Sequence, residues 1–144
     1  MERPTFDSTQ GILIERLGLE GDGLAGPIRV PFTLPGERVR GTFEGGHART
    51  TEILEPSPER VAPLCRHFGV CGGCALQHAS DGFLADWKRG VVKRALAARG
   101  LSTELRPTLT SPPRSRRRGS FAGHRARKAV SVGFRARRSE TVVD

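Results

Sequence analysis

Tyrosine is absent from these 144 residues, tryptophan and methionine occur once each, and aromatic side chains make up only 6% of the chain. A chain this short and this poor in large apolar groups buries little surface, so it forms one modest domain or two small ones. Cysteine is scarce as well: the three present are an odd number, which excludes a fully paired disulfide framework. No apolar signal segment follows Met1, and no run suggests a membrane span, so the expected location is the cytoplasm. A Gly-rich cofactor loop following a hydrophobic strand is also missing, because the closely spaced glycines sit at turns or between cysteines. Carboxylates are sparse toward the C-terminus. Residues 1–60 carry 7 basic and 10 acidic side chains, residues 61–111 carry 7 and 3, and residues 112–144 carry 10 and 2. The net charge of +9 therefore belongs to the C-terminal part, where a polyanion such as RNA is the partner class it favours. Arginine outnumbers lysine by 21 to 3, which a GC-rich coding sequence explains as readily as guanidinium chemistry does; the sign of the charge has no such explanation.

All three cysteines lie in one stretch, C-R-H-F-G-V-C-G-G-C-A-L-Q-H, from Cys65 to His78. Thiolates this close, on a backbone loosened by Gly69, Gly72 and Gly73, can converge on a metal. An iron–sulfur cluster takes four thiolates, so Cys65, Cys71 and Cys74 would need a fourth ligand that this sequence does not contain. Zinc fits the same spacing, with His67 or His78 completing a tetrahedron, and the spacing by itself leaves both metals open.

Residues 10–55 read as short β-strands: Q-G-I-L-I-E-R-L-G, G-L-A-G-P-I-R-V-P-F, E-R-V-R-G-T-F-E and A-R-T-T-E-I-L-E, punctuated by Gly21-Asp22-Gly23, Pro35-Gly36 and Gly45-Gly46. Alternation sets Val39 and Phe43 on one face with Arg38 and Arg40 on the other. Four or five such strands suit a small closed barrel of the OB type. Glu55 to Pro63 holds three prolines and forms a linker into the cysteine stretch. From Ser80 or Asp81 to about Arg99 a helix is predicted, stopping at Gly100, with Leu84, Trp87, Val91, Ala95 and Ala98 as its apolar stripe. Lys88 and Arg89 stand among the cations on the rest of its surface. Leu101 to Pro113 is a connector. Beyond it, R-S-R-R-R-G-S-F-A-G and K-A-V-S-V-G-F-R form the strands of a predicted hairpin joined through residues 124–127, and E-T-V-V-D begins a third strand.

The run P-L-C-R-H-F-G-V-C-G-G-C-A-L-Q-H, followed by W-K-R and a helix, resembles the cluster-binding segment of bacterial RNA uracil-5 methyltransferases, nearer to the 23S ribosomal RNA enzymes than to the transfer RNA enzyme. The phrases around G-D-G-L-A and L-P-G-E-R-V are similar to the TRAM domain that precedes that segment, apart from Leu19 before Glu20. The resemblance implies a mainly β architecture: a TRAM-like OB barrel over 1–55, a linker and cysteine loop over 56–80, an amphipathic helix over 81–100, and an incomplete central domain over 101–144. It also implies a 4Fe–4S cluster on Cys65, Cys71 and Cys74. In the family the fourth cluster cysteine follows a phrase like V-G-F-x-x-R-x-S-x-x-V-V-D, and this chain stops at Asp144 just before that position. The expectation is therefore an N-terminal fragment. The family methylates C5 of uridine with S-adenosylmethionine, after a nucleophilic cysteine adds to C6 and before an acidic residue removes the C5 proton. Those parts have no counterpart here, so S-adenosylmethionine belongs only to the complete protein and the chain alone is expected to be inactive. Its role would be to bind RNA, ribosomal RNA as the resemblance implies, through Lys88, Arg89, Arg116, Arg117, Arg118, Arg125 and Arg127, with no obligate protein partner and no membrane. The alternative is a free-standing, zinc-stabilised nucleic-acid-binding module.

Overall fold

The computed structural model describes residues 11–44, 47–127 and 129–143. The Gly45-Gly46 turn and the side chain of Phe43 lie outside the described part. The chain divides into two compact units, Met1–Ala62 with His78–Ser80, and Pro63–Gln77 with Asp81–Asp144.

The first unit is built from strands β1 (Ile12–Leu13), β2 (Arg16–Leu17), β3 (Gly23–Ala25), β4 (Ile28–Val30), β5 (Arg38–Glu44) and β6 (His47–Glu55). They form two antiparallel three-stranded sheets, ordered β1-β5-β6 and β2-β3-β4. The chain passes from one sheet to the other at Ile14 and Glu15, whose N–H groups donate to Glu37 O and Leu24 O at 2.8 Å each. Ile14, Val30, Val39 and Ala48 make the core, with Ile12, Ala25, Ile28 and Ile53 packed against it. Arg38 and Arg40 point away from it and pair across the ladder with Glu55 (3.5 Å) and Glu52 (2.8 Å).

The expected closed barrel is not formed. Closure requires an unbroken circuit of ladder hydrogen bonds around all the strands. Among the described residues the two sheets remain separate ladders. β1 and β2 contribute two residues each, too few to carry one continuous strand through both sheets, and the β5–β6 ladder shifts register at Arg38/Val39 and Arg40/Gly41.

Gly23 in β3 is buried against the side chains of Thr33 and Ile14. A β-carbon there would stand 2.1 Å from Thr33 Oγ1 and 2.8 Å from Ile14 Cγ2, and Thr33 is itself held by a 2.8 Å bond to Val30 O. Gly23→Ala is expected to destabilise this unit by about 1–3 kcal/mol, the usual range for overpacking a fixed site. Urea denaturation followed by circular dichroism measures it, and an unchanged midpoint would refute the crowding.

The second unit holds α1 (Asp81–Ala97) and a sheet of β7 (Ala122–Arg125), β8 (Val130–Arg135) and β9 (Val142–Val143) in that order. Asp81 lies in the first turn, where a carboxylate suits the helix dipole, and Arg94 in the last. The helix ends as Gly100 predicts: at φ +71° it allows Leu101 N–H to reach Leu96 O and Gly100 N–H to reach Ala97 O, 3.0 Å each, which is a Schellman closure. The apolar stripe is shallower than its spacing suggests, with Leu84, Trp87 and Val91 half-buried and Ala95 and Ala98 exposed. Thr108 Oγ1 donates to Ala85 O at 2.8 Å, bringing the connector back along the helix. The predicted first hairpin strand is mostly irregular. Pro112 and Pro113 and the like-charged run that follows find no pairing partner, and regular structure begins only at Ala122. No helix among the described residues is long and apolar enough to cross a membrane.

Candidate nucleic-acid interface

The cysteine stretch folds as a tight loop within the second unit. Cys71 N–H donates to His67 O (2.9 Å) and Phe68 N–H to Cys65 O (3.1 Å), while Gly69 takes φ +92°. Two backbone bonds fasten this loop to the end of β8, Gly72 N–H to Arg135 O (2.8 Å) and Arg137 N–H to Val70 O (3.0 Å). Gly72 has to be bare, because a β-carbon would sit 2.9 Å from Arg135 O. Gln77 closes the loop, its Oε1 accepting from Cys65 N–H at 3.1 Å and its Nε2 donating to Cys74 Sγ at 3.0 Å. The sequence offered no reason to single out that glutamine.

This geometry overturns the 4Fe–4S assignment, and zinc with it. The three cysteines are free thiols, and among the described residues no group of three or more His, Cys, Asp or Glu side chains is placed to hold a metal ion. Burial pushes the Cys74 thiol up, the neighbouring Cys71 and Cys65 sulfurs push it further, and the Gln77 amide only partly opposes them. Cys71 is buried, and its sulfur accepts the Gly73 N–H at 3.3 Å. His67 accepts from Arg66 Nε at 2.9 Å. His78 belongs to the first unit, 1% exposed, with its ring edge-on to Phe32 at 6.4 Å between centroids.

The cationic residues are placed differently. Lys88 and Arg89 are exposed on α1, and Arg89 pairs with Asp86 at 2.8 Å. Arg116, Arg117 and Arg118 are exposed in the irregular segment before β7, with Arg116 Nε donating to Arg118 O at 2.9 Å. Arg125 ends β7, and Arg127 follows in the turn closed by Ala126 N–H to Ala129 O at 2.9 Å. Both are exposed. Arg125 and Arg127 thus belong to the hairpin, Arg116, Arg117 and Arg118 to the irregular segment that leads into it, and Lys88 and Arg89 to the helix. From Leu105 to Ser139 the sequence contains no carboxylate side chain. Arg114, also exposed and at φ +63°, belongs to that irregular segment too, and its signal was its place in the same arginine run. Phe121 is a further surface residue that periodicity assigned only to a strand; it is 64% exposed.

No family model matches the chain. Among curated proteins, it is 48% identical over 142 residues to a protein named "uncharacterized RNA methyltransferase" from Caulobacter vibrioides, covering 93% of this chain and 34% of that one. A protein of the same description from Brucella suis is 44% identical over 144 residues, covering 97% and 35%. The 23S rRNA (uracil(1939)-C(5))-methyltransferase of Alkalilimnicola ehrlichii is 38% identical over 147 residues, covering 92% and 33%. The solved tRNA (uracil-54, C5)-methyltransferase of Pyrococcus abyssi aligns with 70% of this chain and 24% of its own at 29% identity, with a TM-score of 0.48 that is too low to assign a fold. The chain spans about a third of the length of the curated relatives it matches, and over that span it is homologous to RNA methyltransferases.

Proposed function

We propose that these residues are the RNA-contacting portion of an RNA uracil-5 methyltransferase that forms 5-methyluridine in ribosomal RNA, and that they carry no methyl transfer by themselves. The observation that carries the reading is the exposed arginine group on and before the β7–β8 hairpin, in a stretch without a single carboxylate side chain. Guanidinium groups set in water at that density suit phosphate, since each neutralised phosphate releases condensed counterion. The 38% identity to a named 23S rRNA methyltransferase supports ribosomal RNA as the substrate class.

Affinity for RNA is expected to fall steeply with salt, with a log–log slope of about −0.7 per phosphate contact on a single strand. Replacing Arg116, Arg117 and Arg118 together with serine should flatten the slope by about 2 if all three reach phosphates. Titrations of the 144-residue chain against labelled RNA at several salt concentrations measure this, with S-adenosylmethionine present in a parallel assay for methyl incorporation. An unchanged slope in the triple variant removes these arginines from the interface. Methyl incorporation by this chain alone would overturn the division of labour.

A further inference from the structure

The β7–β8 hairpin presents an apolar face to water in the middle of its arginines. Its register sets Gly123 opposite Val132 and Arg125 opposite Val130, and directly opposed residues share one face of an antiparallel pair. Phe121, one residue before β7, continues that face, with its ring centroid 5.0 Å from that of Phe134. Phe121, Val130 and Val132 are 64%, 62% and 55% exposed. Gly123 sits between Phe121 and Arg125, and nothing lies within 4 Å of where its β-carbon would stand. The face is therefore a shallow trough, floored by Gly123 and Val132 and bounded by the Phe121 ring at one end and by Arg125 and Val130 at the other.

The chemistry of this trough selects its occupant. Its floor suits something thin and apolar on its faces, and the exposed Arg125 on the same face, with Arg127 in the turn beyond it and the Arg116–Arg118 run a few residues before Phe121 in the chain, suits an anion attached to that flat body. A second copy of this chain would bring the same cations against themselves. A base-paired duplex keeps its bases inside the stack, where no protein ring can lie against them. An unpaired nucleotide meets every condition: a π-face for Phe121, a body for the space left by Gly123, and a phosphate for the arginines. We propose that this trough is a seat for one unpaired base of single-stranded RNA, with Phe121 as its stacking platform. The proposal rests on the RNA-contact reading above and adds a contribution that does not depend on phosphate.

The test compares binding of an oligouridylate with binding of an abasic oligoribonucleotide of equal length, by fluorescence anisotropy with the full 144-residue chain over a range of salt. The base-bearing strand is expected to bind tighter by about 5- to 150-fold, the span observed for single aromatic stacking platforms. Phe121→Ala should erase that preference while leaving the salt slope unchanged, and Phe121→Trp should keep it. Gly123→Val, a residue at home in a strand, should fill the trough and erase the preference without lowering the melting temperature. It carries the test if Phe121→Ala does not fold. Equal binding of both strands by the unmodified chain, with a normal salt slope, overturns the base seat and leaves the phosphate reading standing. Failure to bind either strand overturns both. A Phe121→Ala variant that weakens both strands equally, or a hairpin face that instead buries itself in a dimer disrupted by Gly123→Val, also overturns the seat.

Discussion

Replacing Glu37 with alanine is expected to lower the stability of the first unit by about 3–5 kcal/mol, the range for removing one partner from a buried ion pair. Glu37 is fully buried at 0% exposure, yet it is ionised and saturated with donors. Arg60 reaches it through Nε (2.5 Å) and Nη2 (2.8 Å), Leu34 N–H at 2.8 Å and Ser57 N–H at 3.3 Å. Burial alone would raise its pKa; Arg60 and the two backbone donors outweigh burial and hold the carboxyl below its usual range. Alanine would leave the Arg60 guanidinium with the Phe32 carbonyl (2.8 Å) and strand the Leu34 and Ser57 amides. Because a domain of this size is stable by only about 5–15 kcal/mol, the loss approaches unfolding. Glu37→Gln keeps one acceptor oxygen and should fall between the two. Chemical denaturation at pH 7 reads the difference, and a loss under about 1 kcal/mol for the alanine variant would mean that the pair is not desolvated as its burial implies.

The second large effect is a loss of stability in mild acid that has His78 as its source. Burial is the main reason its pKa falls to about 4 from 6.5, and the Arg60 cation adds to it; a backbone hydrogen bond at Thr33 and the Glu37 carboxylate act the other way. Between pH 6.5 and about 4 the unfolded chain accepts a proton at this imidazole that the folded chain refuses. Stability is therefore complete above pH 6.5 and falls as the pH drops toward 4, by about 3 kcal/mol in total at 1.36 kcal/mol per pH unit. Glu37, whose folded pKa is also depressed, contributes in the same direction but later, starting near 4.5. Denaturation midpoints taken at half-unit steps of pH separate the two windows. His78→Phe should flatten the dependence between 6.5 and 4 whatever it does to absolute stability, and a slope identical to that of the unmodified chain would assign the acid sensitivity elsewhere.

Local signals were the readable ones. The helix start at Asp81 and its arrest at Gly100 go with a first-turn carboxylate and a positive φ, both decided within a few residues. The mainly β character of residues 11–55 was legible in the same way, through turn glycines and β-branched runs. Barrel closure was not, because it depends on whether distant edges find one another. Nothing in the two residues of β1 or of β2 announces that the chain breaks its ladder at Ile14. The cysteines illustrate a sharper limit. Spacing and glycine content show that three sulfurs can approach, but holding a metal also requires that their directions converge, and among the described residues no group of three or more such ligands is placed to do so. Likewise His78, flanking the cysteines in sequence, looked like a ligand and is instead a core residue. The Glu37–Arg60 pair spans 23 positions and had no sequence signal beyond the presence of a charge of each sign. The arginine group remains as the sequence placed it, on the surface, since a solvated charge needs no tertiary partner.

The backbone path through the first unit also bears on the order of synthesis. Residues 78–80 complete a unit whose other members end at Ala62: Val61 N–H bonds to His78 O at 2.9 Å, Ser80 N–H to Glu59 O at 2.8 Å, and Arg60 bridges to Ala79. The fifteen or so residues between form an excursion, and closing a loop of that length is a modest entropic charge, one that grows only with the logarithm of its length. A nascent chain that has reached Ala62 therefore lacks the ring that fills the space beside Phe32. The sheets laid down first acquire their last buried side chain only after the whole cysteine stretch has been translated, so a ribosome pausing within that stretch would hold the first unit in an unfinished state.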